Sequence, residues 1–339
     1  MHSRVILLWW IFSTLLPSSL RASTFCHESI VSDGGFENFP DVECWSDFYN
    51  GIEYVKHEGI VTGYPDGTYH PSQTINRAEF TKIVAGALLD AAGEDCLAEL
   101  GAPFPDVPAT AWFAPFICLA KQEGTVSGYP DGTFRPEATI SLVEAAKIIV
   151  NASGGPLGNE NADEEWFVPF TDALAMEHAM PIWITRFDAE ITRGDMAEIV
   201  YRIRAPRTDK PSHTTADIRA LTQDDIGFYI TKLEDEWYAT SYGSGEFYLA
   251  AETLGYRGKP VIPRLIAYLN ETEKDFGFEQ AAYALFLAAQ QENVRVFSGR
   301  ELPPDYAPTV QVPIPEEVKA SVRASWNAWY EKFAEDFEG

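Results

Sequence analysis

GYPDGTYHP, from Gly63 to Pro71, and GYPDGTFRP, from Gly128 to Pro136, are one turn written twice, 65 residues apart. Three explanations compete: a repeated scaffold turn, a metal loop, or one wall of a repeated binding site. Asp66-Gly67 and Asp131-Gly132 supply tight turns in which glycine takes a positive φ, and the proline fixes the residue before it. A calcium loop needs several spaced oxygen ligands, and one aspartate per turn falls short. The turn therefore reads as scaffold first, with room to shape a groove.

The same offset recurs on both sides of the turn. FPDV begins at Phe39 and at Phe104, and INRAE at Ile75 answers ISLVE at Ile140. Three signals sharing one offset mark a structural duplication. A third copy is shorter. WFVPF at Trp166 matches WFAPF at Trp112, and ITRGDM at Ile191 matches INRAEF at Ile75, but PIWITRFDAE replaces the GYPDG turn between them. Each copy reads as helix, loop, helix. The first helix carries Trp45, Ile52 and Val55 in copy one, and Trp112, Phe116 and Leu119 in copy two. Gly59 and Gly124 are helix stops. In the second helix Phe80, Ile83, Val84, Ala87 and Leu88 form one apolar stripe, repeated by Met196, Ile199, Val200 and Ile203. One apolar face per unit requires each copy to pack on its siblings, as three helices sharing a central bundle would.

The starts of the second helices carry the chemical information. Asn76 with Glu79, Ser141 with Glu144, and Thr192 with Asp195 all fit a capping box, which accounts for the acids without catalysis. Arg77 and Arg193 are not accounted for in this way. A cation at the first helical position opposes the helix dipole, at roughly 0.3–1 kcal/mol where exposed. An arginine beside free helix N–H groups makes an anion pocket. A surface arginine paired with an acid is the alternative.

FxDV, then Trp, then GYPDGT, then I-N/T-R-A/G-E/D resembles the S-layer homology module, in three copies over about residues 26–204. The resemblance implies non-covalent attachment to an anionic cell-wall polysaccharide, often one bearing ketal-linked pyruvate, through grooves between neighbouring repeats of a pseudo-threefold helical fold. It implies that Arg77 and Arg193 contact the anionic sugar. It makes Trp45, Trp112, Trp166, Asp41, Asp106, Gly63 and Gly128 candidate groove residues. The ordinary role of such tryptophans is core packing, and Asp41 and Asp106 could equally cap the segment after them. Copy two has Leu142 where the arginine belongs, and copy three lacks the GYPDG loop. Each defect puts a groove in doubt, so one working groove is the expectation.

Residues 1–23 read as a secretory signal. Arg4 precedes an apolar run from Val5 to Leu16, too short for a membrane span, and small residues lie near Ala22 and Ser23. The whole chain carries a net charge of −26. Losing Arg4 and Arg21 leaves 23 basic against 51 acidic side chains, a net of about −28. That excludes nonspecific nucleic-acid binding. It does not exclude an anionic ligand, since charges beyond about 8 Å are largely screened at physiological salt. Cys26, Cys44, Cys96 and Cys118 allow three disulfide pairings. Cys26–Cys44 and Cys96–Cys118 are favoured because each pair sits alike around the start of a repeat. No CxxC pair or histidine cluster indicates a metal site.

The expected organisation is a signal at 1–23, repeats at 24–94, 95–155 and 156–204, a linker at 205–215, and a C-terminal helical domain at 216–339. LGYRGKPVIPRLIAYL followed by AAYAL resembles one HEAT-like helical unit, which implies a surface for a protein partner. The expected fold is mainly α: a pseudo-threefold bundle followed by an all-α domain. No enzyme or cofactor signature is present. The reading is a surface-anchored protein with a helical interaction domain; the alternative is a cell-wall glycan hydrolase using the same anchor.

Overall fold

The computed structural model of the protein describes residues 39–43, 46–89, 94–154, 165–206, 208, 210–242, 245–298 and 313–338. Residues 1–23, expected to be a signal, and Cys26, Cys44 and Trp45 lie outside these residues. The chain is mainly α-helical and divides into two compact units.

The first unit holds three helix pairs: α1 (Tyr49–His57) with α2 (Arg77–Leu88), α4 (Ala114–Gln122) with α5 (Leu142–Ala152), and α6 (Val168–Met176) with α7 (Arg193–Arg204). A short helix, α3 (Glu94–Leu100), precedes the second pair. The pairs interlock in a ring. The first helix of each pair packs on the second helix of the pair before it: α4 on α2, α6 on α5, and α1 on α7. Each second helix therefore buries its stripe between pairs, as a lone amphipathic hairpin cannot do.

The ring closes on three isoleucines. Ile75 N donates to Ile191 O at 3.1 Å, Ile191 N to Ile140 O at 3.0 Å, and Ile140 N to Ile75 O at 3.3 Å. All three side chains are wholly buried. These residues enter the second helices, so the threefold contact fixes all three helix starts at once. Isolated bridges at Thr74–Thr192, Asn76–Thr139 and Ser141–Glu190 flank this triangle.

The GYPDG turns serve the scaffold. Asp66 Oδ1 accepts from Thr68 N and Asp131 Oδ1 from Thr133 N, both at 3.0 Å, across Gly67 and Gly132 at φ of +83° and +82°. Gly63 and Gly128 have φ of +75° and +77°, and a Cβ there would lie 2.3 Å from Phe39 and 2.6 Å from Phe104. The phenylalanine of FPDV thus rests on the first glycine of its own turn. The aspartate of FPDV then clamps the far end. Asp41 accepts from Tyr69 N at 2.9 Å and His70 N at 2.7 Å; Asp106 accepts from Phe134 N and Arg135 N at the same distances. His70 and Arg135 sit at φ of +57° and +58°, a conformation that a side-chain-bearing residue holds only when its surroundings impose it. The two amide hydrogen bonds impose it. Asp106→Ala removes both acceptors and will destabilise the first unit by about 2–3 kcal/mol in urea unfolding. Unchanged stability would show that the clamp does not hold the turn.

Cys96 and Cys118 form a disulfide, as expected, joining α3 to α4 across 22 residues. A loop of that size contributes about 3 kcal/mol in the chain-entropy account.

The second unit comprises Ile182–Phe187 and the chain from Thr208 onward. Its helices are α8 (Thr215–Gln223), α9 (Asp225–Thr231), α10 (Leu249–Gly255), α11 (Ile262–Glu271), α12 (Asp275–Ala289), α13 (Glu292–Ser298), α14 (Glu316–Lys332) and α15 (Ala334–Glu338). α12 packs against both α10 and α11, and α14 against α11. Leu265, Leu269, Ala281, Leu285 and Trp326 are buried in one core with Ile182. Two features depart from the expected organisation. Ala239–Tyr242 (β1) and Gly245–Tyr248 (β2) pair as an antiparallel hairpin. Gly243-Ser244-Gly245 breaks the helical pattern there, and the flanking threonine and aromatics favour strand. The stretch read as a linker also ends inside the second unit. His213 is wholly buried, its Nδ1 3.1 Å from Ile184 O, and Thr214 caps α8 in a box with Asp217. No helix among the described residues is long and apolar enough to cross a membrane.

Candidate functional site

The same junction is built three times, each between the helix start of one copy and the loop of another. Arg193 N donates to Gln73 O and Gly194 N to Pro71 O, both at 2.8 Å, which seats α7 on the loop of copy one. Arg77 N donates to Ala138 O at 2.9 Å and Ala78 N to Pro136 O at 3.0 Å, which seats α2 on the loop of copy two. Leu142 N donates to Ala189 O at 2.9 Å, seating α5 on the shortened loop of copy three. The two sequence defects, Leu142 and the missing GYPDG turn, therefore meet at one junction. The other two junctions each keep an arginine and a full loop.

At the first junction Arg193 is buried. Its guanidinium lies 4.6 Å from the Tyr64 ring and 4.7 Å from the Tyr69 ring. Its Nε donates to Tyr69 O at 2.8 Å, and the Tyr69 hydroxyl donates back to Arg193 O at 2.9 Å. Burial pushes the Tyr69 phenol well above its ordinary value, so this hydroxyl keeps its proton. No carboxylate among the described residues forms an ion pair with Arg193, whereas many other basic groups have one. The buried Tyr64 hydroxyl has no hydrogen-bond partner. The Glu79 backbone N–H donates to Asn76 Oδ1 at 2.8 Å, but the Glu79 carboxylate does not return the bond, so only half of the expected capping box forms. Arg193, Tyr64 and Glu79 thus leave polar capacity unspent at one place.

The second junction is more self-contained. Arg77 is buried with its guanidinium 5.0 Å from both the Tyr129 and Phe134 rings. Its Nη1 stands 3.8 Å from Glu144 Oε1, and its Nε has no partner. The Tyr129 hydroxyl donates to Glu144 Oε1, and burial followed by this bond raises the phenol above its ordinary value. Burial lowers Arg77 somewhat, while Tyr129 and Glu144 act the other way. Glu144 Oε2 also accepts from Ser141 N and Oγ, the expected cap. At the third helix start, Thr192 and Asp195 form the full capping box.

The remaining candidates divide. Asp41, Asp106, Gly63 and Gly128 hold the loops in shape, as described above. Trp112 and Trp166 are 55% and 50% exposed, so core packing is not what they do. They meet lysines of the preceding copy instead: Lys82 lies 5.3 Å from Trp112, and Lys147 5.5 Å from Trp166. Neither tryptophan touches Arg77 or Arg193. Sequence reasoning missed Tyr64, Tyr69, Tyr129, Phe134, His70 and Arg135. Their signal was present, since each lies in or just after the repeated turn.

The helix starts of the first unit thus form one repeated junction around a threefold ring. Residues 38–81 and 103–146 match the S-layer homology domain, and the chain carries S-layer homology repeats at these positions. It is 38% identical over 112 residues to "Cell surface glycoprotein 1" of Acetivibrio thermocellus, covering 31% of this chain and 5% of that protein. It is 36% identical over 109 residues to "Middle cell wall protein" of Brevibacillus brevis, covering 32% and 10%. It is 33% identical over 107 residues to "Cellulosome-anchoring protein" of Acetivibrio thermocellus, covering 31% and 24%. The chain thus spans a quarter or less of the length of these relatives.

Proposed function

We propose that the first unit anchors the chain by taking anionic groups of a cell-wall polysaccharide, such as ketal-linked pyruvate, into the two complete junctions. The second unit presents a helical surface to a protein partner. One observation carries the anionic reading: Arg193 is buried, faces two tyrosine rings, and has no ion-pair partner among the described residues, beside a buried Tyr64 hydroxyl that is itself unpartnered. A buried cation without a counter-charge is costly, and a carboxylated saccharide would supply both the charge and the acceptor. The aromatic faces suit the apolar side of a sugar ring.

Association of the protein with the cell surface through S-layer homology repeats rests on the family match and on relatives named for the cell surface, the cell wall and anchoring. The role is anchoring rather than turnover. The full chain will cosediment with purified wall polymer, and removal of ketal pyruvate by mild acid will leave most of the protein in the supernatant. Pelleting that survives this treatment would overturn the anionic part of the reading.

A further inference from the structure

The two complete junctions differ at one matched position. His70 in the first loop and Arg135 in the second each follow the aromatic residue after GYPDGT, share a φ near +57°, and are clamped through their amides by Asp41 and Asp106. Each lies against the tyrosine that the buried arginine also faces. The Arg135 guanidinium is 4.0 Å from the Tyr129 ring, with Arg77 5.0 Å from the same ring. The His70 ring is 5.0 Å from the Tyr64 ring, with Arg193 4.6 Å from it. One junction therefore has two permanent cations about its tyrosine. The other has one permanent cation and an imidazole.

We propose that His70 is the pH-graded second cation of the Arg193 junction. This junction then holds a carboxylated saccharide more tightly as pH falls, while the Arg77 junction holds it equally well across the same range. The inference rests on the anionic-saccharide reading above. The groups facing His70 are Asp41 Oδ2, 3.9 Å from Nδ1; Asp66 Oδ2, 3.9 Å from Nε2; and Thr68 Oγ1, 2.9 Å from Nε2. Beyond Tyr64 stand Arg193 on α7 and Glu79 on α2. Arg135 has the matched acids, with Asp131 Oδ2 2.8 Å from Nη2. The acidic surroundings are therefore common to both loops, and the residue itself makes the difference. Histidine changes charge between about pH 5 and 8, arginine does not, and a ketal carboxylate stays ionised throughout.

The linkage has a definite sign. A ligand that prefers protonated His70 takes up a proton on binding, so its affinity is highest below the histidine range and falls as pH rises through it. One added charge near the ligand at the surface is worth about a five-fold change in affinity.

The test uses the full chain and a methyl hexoside bearing a 4,6-pyruvate ketal, titrated by calorimetry at pH 5.5 and pH 8.0. Arg77→Leu leaves only the Arg193 junction, and Arg193→Leu only the Arg77 junction. Leucine is chosen because Leu142 already fills this position at the third junction. Arg77→Leu will bind about five-fold more tightly at the lower pH, and Arg193→Leu will show no change. Adding His70→Asn to Arg77→Leu will flatten the dependence, with the loop kept because asparagine tolerates positive φ. Equal pH slopes in the two single variants, or a slope that survives His70→Asn, would overturn the role of His70 and leave wall binding standing. A probe that the unmodified chain binds at neither pH would overturn both.

Discussion

Replacing Arg77 and Arg193 together by leucine will release the protein from purified wall sacculi, with affinity reduced by about a hundred-fold or more. Each arginine is a buried charge that the proposed function sets against the ligand, and a charge-assisted hydrogen bond contributes roughly 1.5–3 kcal/mol, or about ten- to a hundred-fold in affinity. The single variants will not be equal. Arg77 already faces Glu144 at 3.8 Å, and Glu144 is also bonded by Tyr129 and Ser141. A ligand entering there competes with an internal carboxylate. No carboxylate among the described residues stands within ion-pair distance of Arg193, so Arg193→Leu will cost more retention than Arg77→Leu. Cosedimentation of the three variants, with circular dichroism melts alongside, measures this. Retention unchanged in the double variant would remove the groove assignment. Retention lost together with the melt would instead show that the arginines hold the ring of helices. Leu142, buried at the third junction, argues against that second outcome.

The duplication was legible because it is written in residues with strong local rules. Asp-Gly turns, capping residues and a helical apolar stripe each specify backbone geometry without reference to distant chain. The pseudo-threefold bundle was expected from the resemblance, but the order in which the copies meet was not legible. Whether α2 sits on the loop of its own copy, the next or the previous one depends on the handedness of the assembly, which no local pattern encodes. Sequence alone therefore did not show that Leu142 and the missing turn meet at one junction. The aromatic residues of the turn were passed over for a related reason. Nothing local in the turn marks Tyr64 and Tyr129, which stand out only once an arginine from another copy is set against each ring. Trp112 and Trp166 misled in the opposite direction, since a large aromatic at a helix start is usually core. Here the lysine of the preceding helix covers part of each ring and leaves half of it in solvent.

Residues 208–339 expressed alone will be markedly less stable than the same unit within the whole chain. The reason is the insert Ile182–Phe187, which replaces the GYPDG turn in copy three and belongs to the second unit. Ile182 is buried in that unit's core with Leu254, Leu265 and Phe228, and Ile184 O lies against His213 Nδ1. Losing one buried isoleucine removes about 1.5–3 kcal/mol of burial, and exchanging the His213 hydrogen bond for water costs about a further 1 kcal/mol. Against a total of about 5–15 kcal/mol for a domain, this is a large fraction. The urea midpoint, followed through the buried Trp326 and Trp329, will fall accordingly. A second readout is pH. Burial lowers His213 to about 4 from 6.5, so the unfolded state binds more protons between those values. Stability of the intact unit is thus full above about pH 6.5 and declines as pH falls toward 4, by about 3 kcal/mol. A fragment with the insert missing opens the His213 site to water and will lose much of that slope. Equal midpoints and equal pH slopes in the fragment and the whole chain would mean that the insert is a passive connection, and that the second unit is complete from Thr208 onward.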